Sequence, residues 1–307
     1  MLNKTSSIEK EDFDKIFYEI PHNEQLTLEN KNEVRFFMLN IQNNQYSYYE
    51  LFKILKRNLG RYALSRKEYR ADTEMAISKA ISRFHEVKNA GTGAGGELGE
   101  LLLYLFLEVV LGAPKLLSKM ELKGTQNQYN FNSDAVHYFQ YETEHGKHNQ
   151  VVLCEAKLIG DITKAISKAF DSLASSLEKR EYDLSLISTE IFKETMSEAE
   201  AQEVINSIVP NATEDINNKV IKETAAGIFI GFDEKIEPVG DSLKTRENTI
   251  NNIILKIPKI VKQLNKKIEE KELKGMSFYI YFLPFNDVDK DREKIMEQLL
   301  TKDHFEG

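Results

Sequence analysis

Val151-Val-Leu-Cys-Glu155-Ala-Lys157 is an apolar run that ends in an acid and an amine two residues apart. Its length and its β-branched content predict a buried strand over Gln150–Leu158. Side chains alternate along a strand, so Glu155 and Lys157 share one face and Cys154 points to the other. Burying such charges costs on the order of several kcal/mol each unless they are paired or metal-bound. The end of this strand is therefore the first place to look for chemistry.

Two further strands are predicted ahead of it, Ser118–Lys123 and Tyr129–Tyr141, with turns at Gly124 and His145-Gly146. Before them, Leu98, Leu101, Leu102, Leu105 and Val109 repeat at helical spacing, and Gly112 and Pro114 stop that helix. After the central strand, Asp161 caps a helix through about Leu177, and a Glu- and Ala-rich helical stretch covers 183–209. A continuous apolar strand follows at Ala226–Phe232, then a helix over Glu247–Leu273 and a strand over Ser277–Leu283. The order helix, three strands, helix, strand, helix, strand predicts an α/β fold with a mixed central sheet flanked by helices. Residues 1–90 read as a separate, mostly helical region broken by one strand at Glu33–Ile41, and residues 91–307 as the main domain. Gly91-Thr-Gly-Ala-Gly-Gly96 lacks the Gly-Lys-Ser/Thr ending of a phosphate loop and reads as a hinge or helix entry.

The chain has 307 residues, 41% of them hydrophobic and 29% charged, the profile of a globular protein with material for a large core. No apolar run is long enough to span a bilayer, and Met1–Asp14 has no apolar core of a secretory signal. One cysteine excludes an internal disulfide framework and fits a reducing compartment, so a cytoplasmic location is expected. The net charge of −8 counts against an extended phosphate-gripping surface, unless a bound cation or a partner supplies positive charge. Lys53, Lys56, Arg57, Arg61, Arg66, Lys67 and Arg70 do cluster, either as a solvated face or as a phosphate or partner surface.

Hydrolysing a phosphodiester at neutral pH requires an activated water and neutralisation of charge on the phosphorane, which divalent cations supply. Mg²⁺ takes hard oxygen ligands and keeps several waters. Asp134 lies on the strand before Glu155, and an antiparallel hairpin would set the two carboxylates side by side as ligands. Lys157 would then orient or deprotonate the water, or offset charge in the transition state.

Helix, strand, Asp-bearing strand, Glu-x-Lys strand and helix resemble the PD-(D/E)xK nuclease superfamily, with Ser133-Asp134 where the pattern carries Pro-Asp. That resemblance implies a restriction-endonuclease-like core, Mg²⁺ (or Mn²⁺ in its place) and a further glutamate on the first helix. Gly96-Glu97-Leu-Gly-Glu100 offers two. Glu100, four residues after Gly96, is the first choice and would join Asp134 and Glu155 on the metal; Glu97 is the second. More narrowly, GELGELLLYLFLE, FNSDAVH and VVLCEAKL are similar to the nuclease subunit of Hachiman anti-phage systems, over roughly residues 90–285. This implies a DNA nuclease partnered by a superfamily-2 helicase, to which the basic N-terminal region would dock. The alternatives are a stand-alone repair or junction-resolving nuclease and a catalytically silent binding module on the same fold.

Glu86-Val-Lys88, Glu121-Leu-Lys123 and Glu272-Leu-Lys274 share the Glu-x-Lys spacing, but none follows an Asp-bearing strand. His137 and Cys154 are expected to pack, and His145 and His148 to sit in a polar turn. Tyr104, one turn beyond Glu100, is expected at the edge of the core. Lys164 and Lys168 share a helix face suited either to solvent or to a DNA backbone.

Overall fold

The computed structural model describes residues 4–89, 96–123, 132–179, 185, 196–209 and 219–301. The elements are α1 (Lys10–Ile16), β1 (Phe17–Ile20), β2 (Asn32–Leu39), β3 (Ile41–Gln42), β4 (Gln45–Tyr46), α2 (Tyr48–Ala63), α3 (Arg66–Ala71), α4 (Ala76–Asn89) and α5 (Glu97–Phe106). They continue with β5 (Lys115–Ser118), α6 (Lys119–Lys123), β6 (Ala135–Thr143), β7 (Gly146–Leu158), α7 (Ile162–Glu178) and α8 (Glu198–Ile208). The last are β8 (Val220–Asp233), α9 (Ser242–Glu270), β9 (Ser277–Phe285) and α10 (Val288–Leu300).

Seven strands form one mixed sheet in the order β1-β2-β9-β8-β7-β6-β5. The inner four, β2, β9, β8 and β7, run parallel, and each edge is closed by antiparallel pairing, β1 on β2 and β6 with β5 beyond β7. Parallel strands covered on both faces read as unbroken apolar runs. Every residue of β9 is buried accordingly. The expected α/β architecture with a mixed, helix-flanked sheet is the one observed.

Helices cover both faces. In register, Ala156, Phe229 and Tyr281 form one row across the sheet. Phe106 of α5 packs its ring on Phe229 and Tyr281, with centroids 5.4 Å away in both cases, so this row faces α5. The neighbouring row, Glu155, Ile228 and Ile280, has the opposite parity. It faces α7, whose Phe170 stacks on Phe278. Below Glu155, Val151 and Leu153 join a smaller apolar cluster with Ala201 and Val204 of α8, while Val152 and Cys154 belong to the main core.

Several boundaries differ from the sequence reading, each for a local reason. The strand expected at Ser118–Lys123 is instead β5, which ends at Ser118 and is followed by helix. Ser118 Oγ accepts the backbone N–H of Glu121, the bond that starts a helix rather than extends a strand. Residues 66–89 form two helices rather than one, because Asp72 Oδ1 accepts the N–H of Met75 and begins a new helix. Asn43 and Asn44 form a turn, both at positive φ, between β3 and β4. Helix α10 was not anticipated. The glycine-rich stretch up to residue 95 and the first part of the helical stretch expected from 183 lie outside the described residues, Ser185 apart. The boundary expected near residue 90 falls between α4 and α5, yet β1 and β2 belong to the same sheet as the strands beyond it.

Gly112 ends the π-helical turn Leu107–Leu111 that continues α5, at φ 77°. A Cβ added there would meet no atom within 4 Å, so only the backbone opposes a larger residue. Gly112→Ala is expected to lower stability by about 1 kcal/mol, read as an earlier urea midpoint at unchanged slope; an unchanged midpoint would refute this.

Candidate active site

The ladder between β6 and β7 begins at Ala135 opposite Cys154. The ladder stops there; just before the strand, the Asp134 N–H donates to the Cys154 carbonyl at 3.0 Å. From Glu155 onward β7 keeps only β8 as a ladder neighbour. The Asp134 side chain closes that gap, since the Ala156 N–H donates to Oδ2 at 2.9 Å. The same bond fixes the carboxylate next to Glu155.

Glu155 is 3% exposed and held from two sides. Lys157 Nζ donates to Oε2 at 3.1 Å, as expected for neighbours of equal parity on one strand. Ser176 Oγ, from the last turn of α7, donates to Oε1 at 3.0 Å. Burial and the adjacent Asp134 charge push the Glu155 carboxyl up to about 7, against the opposing pull of Lys157 and Ser176. Lys157 loses stability as a cation through burial, but the charges of Glu155, Asp134 and Glu100 outweigh this and raise it. Lys119 of α6 adds a second cation, its Nζ 3.7 Å from Asp134 Oδ1.

The structure thus brings Asp134, Glu155 and Lys157 together. Glu100 and Glu97 come from α5, on the other face of β7. Gly99 lets that helix lie close, for a Cβ there would stand 3.2 Å from the Ala156 Cβ and 3.3 Å from Leu158 Cγ. Glu100 Oε2 accepts from the Tyr62 hydroxyl at 2.6 Å. Both glutamates add to the field that raises the Tyr62 phenol, whose main cause is burial, and Asp134 contributes as well. Among the described residues, no three His, Cys, Asp or Glu side chains are gathered closely enough to hold a metal ion. Glu100 is therefore near the acid pair without completing a three-ligand cage.

The donor set still suits a divalent cation. Two buried carboxylates side by side, one of them pushed to about 7, present hard oxygen ligands. Mg²⁺ is commonly held by one or two carboxylates with water filling the other positions.

Sequence reasoning missed Ser176, Lys119 and Tyr62. Ser176 is one serine in a helix with four, and Tyr62 lies far upstream, so no local pattern marks either. Tyr62 is held by a buried network. Lys115 Nζ donates to the Arg61 and Tyr62 carbonyls at 2.9 and 2.8 Å and pairs with Glu121. Glu121-Leu-Lys123, discounted from its context, thus contributes a structural ion pair. His137 packs as expected: Nδ1 contacts the Ala113 carbonyl at 2.8 Å, and burial lowers the imidazole to about 3, which keeps it neutral. Cys154 and Tyr104 are fully buried. His148 is not in a polar turn but on β7, stacked 4.5 Å from Tyr141.

A mixed seven-stranded sheet flanked by helices defines an α/β protein with a nuclease-like core. The family model HamA matches residues 13–299, nearly the whole chain, and the chain belongs to that family, a component of Hachiman anti-phage defence. No curated protein and no solved structure matches it. No helix among the described residues is long and apolar enough to cross a membrane.

The Glu155 carboxyl, at about 7 folded against 4.5 in its ordinary state, binds more protons in the folded chain between those values. Its contribution to stability is thus fully present below about pH 4.5 and is lost as pH rises through about 7. In chelator-containing buffer at about pH 8, Glu155→Gln is expected to be more stable than the parent by on the order of 3 kcal/mol, the difference shrinking toward acid pH. Superimposable pH profiles in urea melts would contradict this.

Proposed function

We propose that this chain is a Mg²⁺-dependent deoxyribonuclease, the effector of a Hachiman anti-phage system that works with a superfamily-2 helicase partner. The observation that supports it most is the Asp134 carboxylate held on the Ala156 N–H beside Glu155, with the Lys157 ammonium on Glu155. Asp134 and Glu155 would hold the cation, with Mn²⁺ able to replace it. Such an ion brings charge neutralisation at the phosphorane and a more acidic water.

The chain's own groups do the rest. Ser176 holds Glu155 from the helix side and keeps its carboxylate turned toward Asp134. Lys157, half-exposed at the strand end, is the cation placed to orient water and to offset charge on the transferred phosphate. Glu100, restrained by Tyr62, supplies a further negative charge from α5. Lys164 and Lys168 are exposed one turn apart on α7, immediately after β7, where a DNA backbone entering the site would meet them. The helicase is assigned to the surface of the N-terminal region, as the family relationship suggests.

Purified protein is expected to degrade DNA in Mg²⁺ or Mn²⁺ and to stop in chelator. Glu155→Gln and Lys157→Ala should each lower the rate by about a hundredfold or more while remaining folded. Undiminished cleavage by either folded variant would overturn the assignment. The partnership is read separately, as activity stimulated by an added superfamily-2 helicase from a Hachiman system; efficient cleavage without it, with preference for branched DNA, would point to a stand-alone resolving nuclease.

A further inference from the structure

The basic stretch between α2 and α3 is not a uniformly solvated face. Arg61, Arg66 and Arg70 all line one cavity of about 100 Å³, together with Lys4, Thr5, Ser65 and Tyr69. No acidic side chain is among its lining residues.

Each arginine is pinned by a different anchor. The Arg61 guanidinium lies 4.4 Å over the Tyr69 ring, and its Nη1 donates to the Thr5 carbonyl at 2.9 Å. Arg66, only 6% exposed, donates from Nη2 to the Lys115 carbonyl at 2.9 Å. Arg70 stands at the rim, paired with Glu200 of α8 at 2.8 Å. Anchoring removes the rotamer freedom that usually weakens a surface arginine as a binding group. It also holds like charges close. Burial pushes the Arg66 guanidinium below its ordinary value, and Arg70 adds to that against the opposing pull of Glu108, Glu200 and Glu121. A bound anion would relieve both effects. Guanidinium forks match the oxygens of a phosphate, and a cavity of this size has room for one tetrahedral anion and none for a base or sugar.

We infer that the cavity between the end of α2, α3 and the N-terminal segment is a binding site for a single phosphate group. Its residues are separate from Asp134, Glu155 and Lys157, and binding rather than cleavage reads it out, so its fate is independent of the nuclease assignment.

Calorimetric titration of the full chain with inorganic phosphate is the test. Saturable binding is expected, weakened about tenfold or more in Arg70→Gln and in Arg61→Gln, equivalent to about 1.4 kcal/mol, and unchanged in Lys53→Gln, a lysine of the same basic stretch outside the cavity. Arg70→Gln alters only the rim, and thermal melts identify any variant that fails to fold. Parallel titrations with oligodeoxynucleotides of one sequence, carrying a 5′-phosphate or a 5′-hydroxyl, identify the source. Preference for the phosphorylated end assigns the site to a DNA terminus, and binding of free phosphate alone assigns it to a small ligand. No saturable phosphate binding to the parent, or equal binding by folded Arg70→Gln and Arg61→Gln, would overturn the inference.

Discussion

The antiparallel register of β6 on β7 is the constraint on which the candidate site rests. With Ala135 opposite Cys154, Asp134 falls at the end of the ladder beside Glu155, and a slip of one residue would carry one of the two carboxylates away from the other. The register is secured where it matters by the Asp134 carboxylate itself, which takes the Ala156 N–H where β7 has lost its partner. One bond thus ends a ladder and positions an acid. The apolar residues on either side, Val151 and Leu153 toward one cluster and Val152 and Cys154 toward the other, give both faces of β7 a reason to keep this register.

Around that pair, polar groups are distributed by face. α7 brings Ser176 to Glu155, and α5 brings Glu100 to Tyr62 on the opposite side. The two sets communicate through charge at the end of β7, where Lys157 feels Glu100 as well as its own neighbours. Tyr62 belongs to the last turn of α2, whose carbonyls are tied down by the buried Lys115–Glu121 pair. A buried pair of this kind costs desolvation. Its visible return is a fixed helix end, with Tyr62 facing the site on one side and Arg61 and Arg66 facing the basic cavity on the other.

Much of the architecture is legible because parallel strands buried on both faces must be apolar throughout. Gly227-Ile-Phe-Ile-Gly-Phe in β8 and Phe278-Tyr-Ile-Tyr-Phe in β9 need no context to be read as central strands. The edges were harder. β5 has four residues, and its outcome depended on Ser118 taking the N–H of Glu121, a bond that competes evenly with strand extension until His137 and Val136 pair with Lys115 and Leu117. α10 has a charged surface and only three buried residues, so its pattern carries little apolar periodicity.

By itself the sequence determined that an acid and an amine would share one face at the end of a buried strand, because alternation in a strand is a local property of the backbone. It also determined that two glutamates would open the helix before them, but it placed Asp134 on the partner strand, whereas the strand begins at Ala135 and Asp134 stands just ahead of it. Which groups meet was decided only by tertiary structure. Ser176 reaches Glu155, Tyr62 takes Glu100, and Arg61, Arg66 and Arg70 converge because helix packing, not spacing along the chain, sets distances between elements. For the same reason the helix that carries Glu100 packs on the face of β7 opposite α7: the close approach of Gly99 to Ala156 and Leu158 is a contact between helix and sheet that no local pattern encodes.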